Sequence, residues 1–163
     1  MLGKPAPVSV GIIPAAAKGH VLFIERTDGG IALPGGYVDA LENAAQAVTR
    51  ESFEEMGLHL DVAKWHLFDS HITDTNKLIL FSYYHAHVAE PLNFTPNDEV
   101  VRVISAPWNT PLVFDQHELA LQKWAALHAI EPLSLRPSRA TRLMCAETSL
   151  AGTTLFANTP SAA

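Results

Sequence analysis

The chain has 163 residues, 48% apolar and 17% charged, enough to enclose one hydrophobic core and short for two full domains. Its formal net charge of −6 argues against binding nucleic acid through the phosphates, which needs a surplus of Lys and Arg, but not against a small phosphorylated ligand whose charge a metal ion offsets. The single cysteine, Cys145, excludes an internal disulfide and a multi-cysteine zinc site, so a reducing, cytoplasmic location is expected, and no apolar run reaches bilayer-spanning length, so no membrane partner is expected.

The weakly apolar stretch from Val8 to Ala17 follows Lys4, faintly like a signal peptide, but Pro5, Pro7 and Pro14 interrupt it. Val8 to Pro14 and Val21 to Arg26 are rich in Val, Ile and Leu and are predicted to be neighbouring strands. Asp28-Gly29-Gly30 is a turn, Ile31 to Leu33 a brief third strand, and Pro34-Gly35-Gly36 an interruption of regular structure. Asn43 to Met56 is a helix. Asn43 is its N-cap, Gln46 completes a capping box, and Gly57 stands where a C-terminal glycine belongs.

Residues 60–72 and 77–89 are predicted strands joined in a hairpin through Asp74-Thr75-Asn76, and Val100 to Ala106 is a last strand. Phe114 to Ile130 is a second amphipathic helix, with Leu119, Leu121, Trp124, Leu127 and Ile130 as its apolar positions. Residues 131–163 carry no sustained period and are expected to be a disordered or loosely packed tail behind a domain spanning 1–130. The order of elements predicts an α+β fold in which helices flank a mixed sheet.

The chemistry concentrates in Gly36 to Glu42 and Arg50 to Leu58. Glu51, Glu54 and Glu55 are spaced at i, i+3 and i+4, so they share one helix face. They also fall in the last two turns, where the helix dipole disfavours negative charge by about 0.3–1 kcal/mol per group. Arg50 alone is too few cations for three carboxylates. Oxygen donors with no His or Cys beside them point to Mg²⁺ or Mn²⁺ and away from zinc. Such an ion, bridging a pyrophosphate, neutralises its oxygens and can acidify a bound water, and a further carboxylate can take the proton.

These residues resemble the Nudix box: Gly, five residues, Glu, seven residues, then Arg-Glu-aliphatic-x-Glu-Glu-x-Gly-aliphatic. Gly36, Glu42, Arg50, Glu51, Glu54, Glu55 and Gly57 match, whereas Ser52 replaces the usual aliphatic residue and Leu41 stands where relatives often have Gly. Ser52 is expected to face the core and bond back to a backbone carbonyl. The resemblance implies the Nudix fold, an α/β/α sandwich, and a magnesium-dependent pyrophosphohydrolase. It implies Glu51 and Glu55 as the main metal ligands, Glu54 as a third and the Gly35 carbonyl as a fourth. Arg50 becomes an orienting partner of Glu54, and Glu42 either a structural residue or a distal ligand. Glu99, in the loop before the last strand, is the candidate for a further ligand or the general base.

Arg26 is the candidate phosphate contact, and Phe81 and Tyr83 are candidates to stack on a base. Marks of the ADP-ribose, NADH, coenzyme A and dinucleoside polyphosphate subgroups are missing. The expected partner is therefore a small nucleoside diphosphate derivative, with nucleoside triphosphates and nucleotide sugars as leading classes, and the expected assembly a homodimer, as in many relatives. The alternatives are a non-catalytic nucleotide sensor, disfavoured by the intact carboxylates, and an isoprenoid diphosphate isomerase, which calls for a pocket cysteine where this chain has only Cys145.

Overall fold

The structure is a computed structural model that describes residues 3–133; beyond residues 131–133 the expected tail, and Cys145 within it, lies outside the described residues. The described residues form seven strands and two α-helices. In chain order these are β1 (Ala6–Ile12), β2 (His20–Arg26), β3 (Ile31–Ala32), β4 (Gly35–Tyr37), α1 (Ala44–Met56), β5 (Trp65–Ile72), β6 (Lys77–Tyr84), β7 (Val100–Pro107) and α2 (Asp115–Leu127). A single 3₁₀ turn, Val62–Lys64, precedes β5. The strands make two sheets, ordered β4-β1-β6-β5 and β3-β2-β7. Only the β1–β6 pair is parallel.

The sheet arrangement corrects one expectation. β1 and β2 are hydrogen-bonded only where the chain turns between them, from Ala15 N to His20 O and from Leu22 N to Ile13 O, both 2.9 Å. Both edges of β1 are taken, by β4 and β6, and both of β2, by β3 and β7, so the two cannot pair along their length. A second correction concerns Pro34-Gly35-Gly36, which does not end regular structure: Gly35 begins β4, antiparallel to β1. A Cβ on Gly35 would lie 2.4 Å from the Ser9 carbonyl oxygen, so only glycine lets this strand close on β1.

Helix α1 forms where the capping signals put it. Asn43 accepts from Gln46 N, the Gln46 side chain accepts from Asn43 N, both at 2.8 Å, and Gly57 closes the helix at φ 71°. Its inward face is Ala47, Val48, Ser52 and Met56, each fully buried. Ser52 Oγ donates to the Val48 carbonyl at 2.6 Å, which satisfies the hydroxyl in a core position. Glycine at position 11 allows α1 to sit directly on β1, since a Cβ there would meet Val48 and Trp65 at 2.6–2.8 Å.

Alternate residues of β2 feed two cores. Leu22 and Ile24 pack with Val48, Met56, Trp65 and Val100 on the α1 side; Val21 and Phe23 pack with Ile12, Phe81, Leu121 and Trp124 on the α2 side. This is the expected α+β sandwich. Each fully buried Phe or Leu adds about 1.5–3 kcal/mol to it. α2 is shorter than expected, and its buried face is His117, Ala120, Leu121, Trp124 and Ala125, while Leu119 and Leu127 point to solvent. The hairpin strands are also shorter than 60–72 and 77–89, because the 3₁₀ turn occupies the first residues and β6 stops at Tyr84. Their turn closes with Thr73 N donating to Lys77 O and Asn76 in the left-handed region at φ 59°.

Candidate active site

Glu51 and Glu55 of α1 meet β4 at Gly36 and Gly35, whereas the Glu54 side chain is half exposed and meets Arg50. Glu55 is 5% exposed, and its Oε1 accepts the Gly35 backbone N–H at 2.8 Å. Glu51 lies against Gly36, where a Cβ would come within 2.3 Å of its Oε1. The two glycines of β4 thus seat the two carboxylates, one by donating a hydrogen bond and one by leaving space. Burial pushes Glu55 up to about 8, with the charges of Glu51 and Glu99 adding to the shift and the Gly35 N–H opposing it. Burial also raises Glu51, against the pull of Arg50.

Arg50 gathers the remaining acids. Its Nε and Nη2 donate to the two oxygens of Glu42 at 2.9 Å each, its Nη1 to Glu51 at 2.9 Å and Glu54 at 3.2 Å, and its Nη2 to the Tyr37 carbonyl at 3.0 Å. The expected pairing with Glu54 is present but is the longest of these bonds; the bidentate partner is Glu42, which Arg50 holds below the usual carboxylate range. Glu42 also accepts the Asp39 N–H at 2.9 Å. Glu42 thus braces the loop against α1.

Glu55 stands between two lobes of one cleft. The acidic lobe, about 280 Å³, brings Asp28, Asp98 and Glu99 to Glu55 and Arg26. Asn97 fixes its loop: Oδ1 accepts from Glu99 N and Val100 N at 2.9 Å, and Nδ2 donates to the Glu54 carbonyl at 3.3 Å. Thr27 adds a bond from Oγ1 to the Asp98 carbonyl at 2.8 Å. The other lobe, about 290 Å³, is walled by Val8, Val10, Leu33 and Ile79, with Phe114 and His117 from the start of α2, and has a polar rim of Thr73, Asp74, Thr75, Lys77 and Gln116. Arg26 lines both lobes. Its Nε and Nη2 donate to Asp28 at 2.9 and 2.8 Å, and its guanidinium lies 5.1 Å from the Phe114 ring centre.

Phe81 and Tyr83 are corrected. Phe81 is 1% exposed in the α2-side core, and Tyr83 stacks on His66 and meets His128 around a separate cavity, so neither reaches the cleft beside Glu55. Adjacent β-strand residues face opposite ways, but positions 81 and 83 share a face, and in this sheet it is the one that α2 covers. Sequence reasoning missed Phe114 and His117, whose only signal is their three-residue spacing at the start of α2. It also missed Asp28, read simply as a turn residue.

The donor set fits a hard divalent cation, since Glu51, Glu54 and Glu55 offer carboxylate oxygens and no His or Cys lines the acidic lobe. Among the described residues no three His, Cys, Asp or Glu side chains converge on one point. Arg50 accounts for this, because it draws Glu51 and Glu54 onto itself while Glu55 takes the Gly35 N–H. An ion held here would compete with Arg50 for two carboxylates and with a proton for the third.

The NUDIX domain pattern matches residues 5–141. A MutT NUDIX hydrolase from Burkholderia pseudomallei is similar in structure at 26% identity, with 74% of this chain and 98% of that one covered and a TM-score of 0.59. A putative nudix hydrolase family member from Chromobacterium violaceum has 21% identity, covers 97% of this chain and 98% of its own, and gives 0.61. MutT described from Aliivibrio salmonicida and Vibrio cholerae has 22% identity over 76% of this chain and 99% of its own, also at 0.61. No curated protein matches the chain.

Proposed function

The chain belongs to the Nudix family and is a hydrolase of phosphorus-containing acid anhydrides, and from that premise we propose that it is a Mg²⁺-dependent pyrophosphohydrolase acting on a nucleoside triphosphate or nucleotide sugar. The observation that carries this reading is the placement of Glu55, a buried carboxylate at the junction of an acidic lobe and a lobe with aliphatic walls and a polar rim. That arrangement suits a substrate with one highly charged part and one flat, weakly polar part.

Glu51, Glu55 and Glu54 would hold the ion, with the Gly35 carbonyl as a fourth donor; when bound, the ion neutralises charge on the diphosphate oxygens and makes water more acidic. Arg50, braced by Glu42, keeps Glu51 and Glu54 oriented and limits their mutual repulsion. Arg26 reaches both lobes, so one guanidinium can contact a phosphate while Phe114 and Asp28 hold its plane. Glu99, on the loop that Asn97 and Thr27 pin, is our candidate to take a proton from the attacking water, a role its place beside Glu55 in the acidic lobe supports.

The test is release of phosphate, after added phosphatase, from a panel of nucleoside triphosphates and nucleotide sugars with Mg²⁺ and then Mn²⁺. Hydrolysis of one class by the native chain, with at least about a hundredfold loss in Glu55→Gln, is expected. Near-normal turnover by Glu55→Gln would sink the reading. Mg²⁺ binding without turnover of any compound would favour a nucleotide sensor.

A further inference from the structure

Histidines gather at the open end of the β5–β6 hairpin, and two of them, His66 and His85, line neither lobe of the cleft. His66 of β5 stands opposite Tyr83 in the ladder, and His85 follows β6, its backbone N–H donating to the Lys64 carbonyl at 2.8 Å. Positions 66, 83 and 85 therefore share one face of the sheet, with the two histidines as diagonal neighbours across the strands. Their ring centres are 5.3 Å apart with planes at 61°, and both residues are exposed. The Tyr83 ring, 5.2 Å from that of His66 and inclined to it by only 17°, backs the first imidazole.

We infer that His66 and His85 are the protein ligands of a cation site distinct from the carboxylate cluster, one that takes a borderline divalent ion, Zn²⁺ or its neighbours Ni²⁺ and Cu²⁺, and not Mg²⁺. Two imidazoles on one tetrahedral zinc, each nitrogen about 2.0–2.1 Å from the ion, stand about 5.2 Å apart centre to centre. The observed separation matches that spacing already. Both ligands project from hydrogen-bonded strand backbone, so little order has to be gained when an ion arrives. Among the described residues no third His, Cys, Asp or Glu converges with them, so water completes the shell.

The surroundings select the ion. His85 also lines a cavity of about 400 Å³ with His20, His87, His128, Tyr83 and Trp124, and no Asp or Glu lines it. Imidazole nitrogen without carboxylate offers little to Mg²⁺, which demands oxygen, and suits Zn²⁺, Ni²⁺ and Cu²⁺. His87 and His128 each donate Nδ1–H to a backbone carbonyl, of Ala15 and Trp124, at 2.8 Å. A carbonyl oxygen only accepts, so the tautomer of those two rings is set by the fold, and they surround the pair without joining it. A bound ion would also fasten β5, which ends its sheet, to its neighbour β6.

The test reads the two imidazoles directly. The full chain, labelled with ¹⁵N-histidine and held in excess Mg²⁺ at mildly alkaline pH, is titrated with Zn²⁺ and followed by proton–nitrogen correlation spectra. Expected are ring signals of His66 and His85 that ignore Mg²⁺ and then move together, saturating with a single Zn²⁺. His66→Ala and His85→Ala should each raise the Kd read from the remaining histidine at least about tenfold. His71→Ala, which removes an exposed histidine from the same strand, should leave that Kd unchanged. Signals that stay still in Zn²⁺, or that move as readily in Mg²⁺, would leave an edge-to-face aromatic pair only and overturn the inference. A Kd unaltered by either single variant would overturn it as well. Since binding is read without substrate or turnover, failure of the pyrophosphohydrolase reading and failure of this inference are separate results.

Discussion

Replacing Glu55 by Gln should make the metal-free protein more stable at alkaline pH and leave it no more stable in acid. Glu55 is raised from 4.5 to about 8 by burial, so between those values the folded chain keeps a proton that the unfolded chain has lost. A raised folded-state pKa contributes stability that is complete below pH 4.5 and is lost as pH rises through 8. The full shift, at about 1.36 kcal/mol per unit, sets a ceiling of about 5 kcal/mol. Relaxation and water entry around an ionised Glu55 reduce this, and about 1–3 kcal/mol is the realistic gain for the variant. Glutamine keeps an oxygen for the Gly35 N–H and never ionises. Thermal melts in chelator should therefore put Glu55→Gln about 3–9 °C above the native chain at pH 9 and at or below it at pH 5. Saturating Mg²⁺ should raise the native Tm and leave that of the variant nearly unmoved, because the ion supplies the counter-charge that burial denies. A variant less stable than the native chain at pH 9 without metal would refute the reasoning, since it would mean that the ionised carboxylate has a strong partner within the fold.

Three further perturbations follow from the same contacts. Arg50→Gln leaves the half-buried Glu42 and Glu51 without their cation and should destabilise the metal-free chain by about 2–3 kcal/mol in urea titrations, with Mg²⁺ recovering part of the loss. Gly36→Ala places a methyl group on the Glu51 carboxylate, so Mg²⁺ affinity by calorimetry should fall by about tenfold or more while the circular dichroism spectrum is unchanged. Leu41, fully exposed at φ 66°, holds a left-handed conformation that a Cβ disfavours; Leu41→Gly should raise unfolding stability by about 0.5–1 kcal/mol and leave turnover unaltered.

Local signals in the sequence were enough for α1. The Asn43–Gln46 box, the Gly57 stop and the i, i+3, i+4 acids act through bonds within a few residues, so their placement needs no knowledge of the rest of the chain. The burial of Ser52 followed from its place on the Val48–Met56 stripe. Strand partnership was less legible, because which strands take the edges of β1 and β2 depends on β4, β6, β3 and β7 arriving from elsewhere. Gly35 reads as a breaker by propensity, yet it enters a strand because Ser9 O leaves no room for a Cβ. On α2, Leu119 and Leu127 fit an apolar pattern and are exposed, while His117 breaks the pattern and is buried.

The sequence by itself determined the carboxylate set, whose oxygens suit a hard cation, and the helix that carries it, since spacing of 3.6 residues per turn turns a linear pattern directly into a shared face. Only the tertiary structure decided that Glu42 is the principal partner of Arg50, that Phe81 and Tyr83 belong elsewhere, and that Phe114 and His117 wall the cleft. The Arg50–Glu42 pair closes over eight positions, across a loop that no helical period describes, and the other assignments depend on burial and on contacts as distant as Leu33 to His117, 84 positions apart. Desolvation and tautomer choice are properties of the space in which a side chain is enclosed, and a residue's neighbours in sequence do not enclose it.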